Sequence, residues 1–288
     1  MNNERVLEGR VAVVTGASRG IGAAVAKRFA AEGAKLVIAA RTLHLGGRLK
    51  GSLTETAEAI KSMGGECLMV KADLSDPTSR ASIIGKAVEH FGRVDILVNN
   101  AAWQQNKPIW EFQAKHLQLA FQINVQAAHD LSREVFHHMK SQGGGWIINI
   151  SSGTAIAPAP APYDSNDRYT AFNRDQGVTI YGTTKAALDR LTSGWAIEAQ
   201  SAGVAVNSLA PVAAVASEGA LALGGWDKNT DLEPQETMAE AALQLSYRSP
   251  DELTGRVIRS LPLLEELGIA TKGLDGKTIL KDYDFSIS

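Results

Sequence analysis

Four apolar residues, Val11-Ala12-Val13-Val14, run into a glycine-rich turn, Thr15-Gly16-Ala17-Ser18-Arg19-Gly20-Ile21-Gly22, and a helical pattern follows at once. This junction constrains the fold more than any other stretch of the chain. A strand that is apolar at every position, rather than at alternate ones, has both faces covered, as in parallel sheets flanked by helices. The G-x-x-x-G-x-G spacing is what a pyrophosphate site needs. Gly16 makes the turn, Gly20 lets the backbone approach phosphates, and Gly22 lets the helix pack close on the strand. The helix start adds unpaired N–H groups and a positive dipole end.

The same alternation continues for some two hundred residues. Strands are expected at Lys35–Ala40, Glu66–Lys71, Asp95–Asn99, Trp146–Ile150 and Val204–Leu209. Helices are expected at Gly20–Glu32, Ser52–Met63, from near Pro77, at about Glu111–Met139 and around Tyr181–Ala199. A last strand is expected at Arg256–Ser260. Right-handed crossovers turn this rhythm into an α/β fold, a Rossmann-type doubly wound parallel sheet of about seven strands with helices on both faces. Ligands then bind at the carboxyl ends of the strands. No composition break marks a second domain. Residues 1–288 read as a single dinucleotide-binding domain, with a core of about 7–260, an inserted loop of about 155–178 and a peripheral C-terminal tail of about 261–288. A second irregular stretch, Thr42 to Gly51, carries Arg48 and Lys50. The insertion opens with Ala157-Pro158-Ala159-Pro160-Ala161-Pro162, where alternating proline imposes an extended path and forbids a helix.

Charge excludes several classes of function. Lys plus Arg total 29 against 31 Asp plus Glu, a net charge of −2, which offers no basic face for nucleic acid and no polybasic membrane patch. The longest apolar region, Val204 to Ala216, is interrupted by Asn207, Ser208 and Pro211, so no membrane span is expected. Met1-Asn2-Asn3-Glu4-Arg5 lacks the apolar stretch of a signal peptide. Cys67 is the only cysteine and reads as a small buried hydrophobe beside a strand. Together these features lead to the expectation of a cytoplasmic protein in a reducing compartment. His137-His138 gives no metal site, because neighbours on a helix diverge by about 100° and no third ligand is apparent.

Tyr181 and Lys185, in Tyr181-Gly182-Thr183-Thr184-Lys185, stand one helical turn apart on the same side. A phenol is a poor base at neutral pH, and a cation held beside it favours the phenolate. The pair is therefore a candidate acid–base unit. The second strand ends Ala39-Ala40-Arg41, without the acid that would take both ribose hydroxyls of NAD. Arg41, with Arg19 from the glycine turn, suits a phosphate on the adenosine ribose. NADP(H) is therefore favoured, with NAD(H) left open.

These motifs together resemble the short-chain dehydrogenases/reductases, in the single-domain branch that carries T-G-x-x-x-G-x-G and Y-x-x-x-K. The resemblance covers roughly residues 7 to 260 and implies roles for further positions. Asp73, followed by Leu74, sits where the family's acid contacts adenine. Asn99-Asn100-Ala101-Ala102 resembles the N-N-A-G run lining the cofactor cleft. Asn124 matches the asparagine that holds a water in the proton relay. Ser152 matches the catalytic serine, and Asn207 to Pro211 the N-x-x-x-P segment beside the nicotinamide. The implied cofactor site is Gly16, Ser18, Arg19, Gly20, Ile21, Gly22, Arg41, Asp73, Leu74, Asn100, Ala101, Tyr181, Lys185 and Pro211. The implied catalytic set is Asn124, Ser152, Tyr181 and Lys185, with no metal. Ser152 would bond the substrate oxygen and Tyr181 would exchange a proton with it. Lys185 would lower the phenol pKa and hold the nicotinamide ribose, while Asn124 would link Lys185 to solvent through water. The resemblance also implies a homodimer or homotetramer formed through the Glu111–Met139 and Tyr181–Ala199 helices, and a mobile substrate loop near Ala220–Gly225, a run that also reads as a plain amphipathic helix.

The chain departs from the family pattern in three places. Ser152 and Tyr181 are 29 positions apart, about twice the usual spacing, so Tyr163 and Tyr169 compete for the catalytic role, although neither has a lysine four places on. Ala102 replaces a glycine. After Pro211 the run Val212-Ala213-Ala214-Val215-Ala216-Ser217 lacks the expected glycine and threonine, with Ser217 a late substitute. The expected partner is a small carbonyl or alcohol substrate, and the expected activity is hydride exchange between nicotinamide and a secondary alcohol or ketone. Two rivals stay open: a catalytically idle NADP(H) sensor and a 3-ketoacyl reductase acting on acyl carriers. Trp103 and Trp110 either wall the substrate site or pack in the core.

Overall fold

The computed structural model describes residues 5–46, 49–164, 167–223 and 232–280. Arg48, Gly224, Gly225 and the end of the tail, 281–288, lie outside the described residues. The first strand, β1 (Val11–Thr15), is buried along its whole length and feeds two cores. Ala12 and Val14 face one core and Val11 and Val13 the other. That two-sided burial is the physical content of its unbroken apolar run.

The following elements keep the expected rhythm: α1 (Gly20–Ala31), β2 (Lys35–Ala40), α2 (Leu53–Ser62), β3 (Cys67–Lys71), α3 (Pro77–Phe91) and β4 (Ile96–Asn99). Local caps set their limits. Ser52 accepts the N–H of Glu55 at 3.2 Å and bonds its carboxylate, a reciprocal cap for α2. Asp76 accepts from Thr78 and Ser79 with Pro77 at the first helical position, and Gly92 closes α3 in the left-handed region. The expected long helix exists as α4 (Ala114–Phe121) and α5 (Ala127–Gln142), joined through a wider π-turn at Gln122–Gln126.

The second half continues with β5 (Gly145–Ile150), a 3₁₀ turn (Gly153–Ala155), α6 (Arg168–Gln176), α7 (Thr179–Ala199) and β6 (Val204–Ala210). It closes with α8 (Glu218–Leu223), α9 (Gln235–Gln244), β7 (Val257–Arg259) and α10 (Ser260–Glu266). The proline run of the insertion is non-helical, as its chemistry requires, but the insertion is not irregular throughout. Asp167 accepts the Thr170 N–H at 2.6 Å, Gly177 ends the segment at φ +59°, and α6 lies between them. The boundary of the peripheral tail also needs correction: Leu263 and Leu264, on α10, are buried in the core.

All pairings within the sheet are parallel, in the order β3-β2-β1-β4-β5-β6-β7. One core packs α1, α2, α9 and α10 on the sheet, through residues such as Phe29, Ile60, Met238 and Leu263. The other packs α3, α5 and α7, through Ile84, Leu131, Val135 and Ala199. Cys67 packs against the first core, and burial pushes its thiol pKa up to about 12, which keeps it unreactive. Among the described residues no helix is long and apolar enough to cross a membrane.

Candidate active site

The topology brings the residues singled out in the sequence to one edge of the sheet. The glycine turn follows β1, Arg41 follows β2, Asp73 follows β3 and Asn100 follows β4. Ser152 follows β5 and Pro211 follows β6. Strand order reverses between β1 and β4, and that crevice is where open α/β sheets bind ligands.

The crevice is stitched by Thr15 and Asn100. The Thr15 hydroxyl accepts the N–H groups of Asn100 and Ala101 at 3.0 and 3.1 Å. The Asn100 amide donates to the carbonyls of Thr15 and Gly16 at 2.8 and 3.3 Å. The start of α1 lies so close to this lattice that a Cβ on Gly22 would fall 2.4 Å from Asn100 Nδ2 and 2.5 Å from the Gly16 oxygen. Any side chain there would push the helix off the turn. Ser18 is buried, and Ile21 packs partly against the core. Such a cradle of backbone N–H groups fits a dinucleotide's phosphates.

The two arginines do different things. The Arg19 guanidinium, expected at a ribose phosphate, donates to the carbonyls of Lys50 at 2.7 Å and Gly51 at 2.8 Å, so it braces the 42–51 loop. Arg41 is exposed at the end of β2. Partial burial opposes ionisation of Asp73, yet hydrogen bonds from Ser75 and the charge of Arg41 hold its pKa below the usual carboxylate value. Leu74 is buried beside it.

On the other side of the crevice, α7 presses on the turn after Ser152. A Cβ on Gly182 would stand 2.4 Å from the Thr154 carbonyl, so only glycine permits the approach. This contact joins residues 28 positions apart in sequence. Ser152 Oγ accepts from the Thr154 N–H and hydroxyl at 3.2 and 2.9 Å. The Lys185 ammonium is buried, donates to the Ile150 carbonyl at 2.6 Å and lies 5.6 Å from the Tyr181 ring centre. Of the competing tyrosines, Tyr163 is 67% exposed, and the Tyr169 hydroxyl donates to the carbonyls of Gly153 and Ile156. Tyr169 therefore pins the insertion to the turn.

Electrostatics in the protein alone runs against the simple expectation of an activated phenol. Desolvation pushes Tyr181 up to about 12. Desolvation also lowers Lys185 to about 8, while Asp189, one turn further along α7, opposes that shift. Asp189 is itself raised by burial, against a 2.6 Å hydrogen bond from Ser208.

Asn124 lies within the π-turn, and its side chain is fully engaged. Its oxygen accepts the Trp103 N–H at 2.7 Å, and its Nδ2 donates to the Trp103 carbonyl and the Thr184 hydroxyl, both at 2.9 Å. It clamps the segment after β4 to the residue beside Lys185. Trp103 also packs with Phe112 and His116, at ring separations of 6.3 and 5.8 Å, whereas Trp110 is 83% exposed. Thr184, Asp189 and Glu233 escaped the sequence reading. The first two lie on the Tyr181 helix, where i+3 and i+8 positions signal a shared side. Glu233 left no local signal. It is buried, accepts the Val212 N–H at 2.7 Å and bonds Thr237 and Ser260, anchoring the segment after Pro211. Burial raises its pKa against those bonds.

The doubly wound parallel sheet, with the glycine turn after β1 at its crevice, defines a Rossmann-type α/β protein. The family model described as short chain dehydrogenase matches residues 10–164. The chain belongs to the short-chain dehydrogenase/reductase family. It is 32% identical over 267 residues to hydroxysteroid dehydrogenase-like protein 2 of Bos taurus, which covers 93% of this chain but 60% of that protein. The chain thus spans less than two thirds of that relative's length. It is 31% identical over 259 residues to hydroxynaphthalene reductase of Aspergillus fumigatus, covering 88% of this chain and 86% of the relative. A short-chain dehydrogenase structure from Mycobacterium thermoresistibile superposes with a TM-score of 0.76 at 30% identity, over 91% of this chain and 89% of that one.

Proposed function

We propose that the protein is an NADP(H)-dependent oxidoreductase acting on a secondary alcohol or ketone, with Tyr181 as the general acid–base. The observation that supports this reading is the packing of α7 on the turn after β5, with Gly182 against the Thr154 carbonyl and Lys185 donating to the Ile150 carbonyl. The cofactor supplies the hydride or takes it up. The protein's own part is positioning and proton transfer. Ser152 is poised to donate to the substrate oxygen, since its Oγ already accepts two hydrogen bonds from Thr154 and keeps its own proton. Tyr181 gives that oxygen its proton in reduction and withdraws it in oxidation. The ammonium of Lys185 favours the phenolate, and Asp189 favours the ammonium against burial. Asn124 and Thr184 hold Lys185's helix in register.

Arg41 and the absence of an acid at the end of β2 support NADP(H) over NAD(H). The relatives named for hydroxysteroids and hydroxynaphthalene point to an apolar ring ketone, which suits the Trp103–Phe112–His116 aromatic cluster. We further read the core, extended through α10 to Glu266, as one dinucleotide-binding unit and the 155–178 insertion as the cover of its substrate side. An apolar groove between α4, α5 and α7, lined by Phe121, Val125 and Leu191, supports a homodimer or homotetramer, and light scattering at micromolar concentration would return a monomer if this is wrong.

Oxidation of NADPH, followed with a panel of bicyclic and steroid ketones beside 3-ketoacyl thioesters, tests the proposal. Turnover of ring ketones with NADPH is expected. Turnover confined to acyl thioesters would favour the acyl-carrier reductase, and tight NADPH binding with no turnover would favour the idle sensor.

A further inference from the structure

Helix α1 has no anion of its own at its start. Its N-cap is the extended Arg19, whose side chain makes no capping bond, and its first turn holds no acid. An anion is nevertheless present. Glu218, the first residue of α8 and 198 positions away, accepts the Gly20 N–H on Oε2 at 2.9 Å. The preceding residue crowds the same spot, since a Cβ on Gly20 would lie 3.1 Å from Ser217 Cβ and 3.8 Å from Glu218 Oε2. The start of α8 therefore covers the glycine at which the backbone must be approached by phosphate, and offers a carboxylate to the same donor. A donor already engaged by one anion cannot serve a second, and two anions at one helix terminus repel.

The path of the chain says where this contact can open. From Val212 to Ala216 the strap is held by its surroundings. Glu233 takes the Val212 N–H at 2.7 Å, its backbone pairs with Ala214 at 2.8 Å and Ala216 at 3.0 Å, and Gln235 donates to the Ala216 carbonyl at 2.5 Å. Beyond Ala216 the contact to α1 rests on Ser217 and Glu218.

We propose that Glu218 is an internal competitor of the dinucleotide: its carboxylate occupies the phosphate cradle of the free protein, and cofactor binding displaces it together with the start of α8, pivoting at Ser217. This rests on the crevice being a dinucleotide site.

Titration calorimetry of the full-length protein with NADPH, for wild type, Glu218→Gln and Glu218→Ala, tests it. Loss of one charge-assisted hydrogen bond from the competing state should tighten NADPH by about ten-fold in Glu218→Ala. Glu218→Gln, which keeps an acceptor without charge, should tighten it by less. Inorganic pyrophosphate, which meets the same competitor at the cradle, should likewise bind both variants more tightly than wild type. Equal or weaker NADPH binding by both variants, with wild type binding normally and thermal melting unchanged, would overturn the competitor and leave the dinucleotide site standing. Failure of all three proteins to bind NADPH or NADH would overturn both.

Discussion

The crevice has two walls built on different terms. On the β1–β4 side, the cradle is made of turns that directly follow their strands, stitched by Thr15 and Asn100 through backbone atoms. On the β5–β7 side, each functional group depends on a distant segment. Helix α7 closes on the turn after Ser152 because Gly182 admits the Thr154 carbonyl, and the strap after Pro211 is hung on Glu233. Local turns tolerate little change in sequence spacing. A wall assembled from afar accepts a long insertion, provided that both of its ends return to the same place. Here they do: the insertion leaves just after Ser152 and returns at α7, with Lys107 bonded to Gly177 at 3.1 Å along the way.

If the walls divide labour in this way, damage to one should leave the other's readout intact. The largest effect is expected from Tyr181→Phe, which should lower kcat by roughly a thousand-fold, within the range for a lost acid–base group, with NADPH affinity changed only a few-fold. Tyr163→Phe and Tyr169→Phe should keep measurable turnover, and substantial activity in Tyr181→Phe would overturn the catalytic assignment. The converse experiment acts on the cofactor wall. Replacing Arg41 by Gln and Ala40 by Asp should weaken NADPH and improve NADH by about ten-fold each, since one change removes a phosphate partner and the other repels it. Equal Kd of wild type for both cofactors would show that Arg41 meets no phosphate.

Shortening the insertion to join Ala155 near Val178 should raise KM, or change the ranking of ketones, by several-fold while NADPH affinity holds. An unaltered kcat/KM across the panel would remove the insertion from the substrate site and leave it a surface excursion. The smallest effect concerns pH. Lys185 titrates near 8 in the fold instead of its ordinary 10.5, because burial disfavours its charge. Activity that needs the ammonium should therefore fall as pH rises through about 8. The stability sign is opposite: between those two values the unfolded chain binds more protons, so the cost of burying the lysine shrinks as pH rises. Asp189→Asn removes the carboxylate that favours the ammonium, so the alkaline limb of kcat/KM should move to lower pH, with a loss of roughly two- to five-fold at pH 7.5. An unmoved limb would separate Lys185 from the pH dependence.

Much of the frame was legible because its signals are local. Unbroken apolar runs marked β1, β2 and β5, and the limits expected for α1 and α2 differ from those found by at most one residue at either end. Placement of the candidate site at one sheet edge then followed from connectivity alone. Even α6 carried its signal, Asp167 before it and Gly177 after it, though the neighbouring prolines masked it.

The β–α order, the sheet class and the family of chemistry were written in near-neighbour signals, because backbone capping, apolar period and motif spacing act over short separations. The tertiary structure alone decided which partner each polar group takes. It turned Arg19 onto the 42–51 loop, closed Asn124 between Trp103 and Thr184, buried Leu263 and Leu264 of the tail, and laid Glu218 on Gly20. Those contacts join residues up to 198 positions apart, and a hydrogen bond's partner is set by distances of a few tenths of an ångström that only the packed sheet defines.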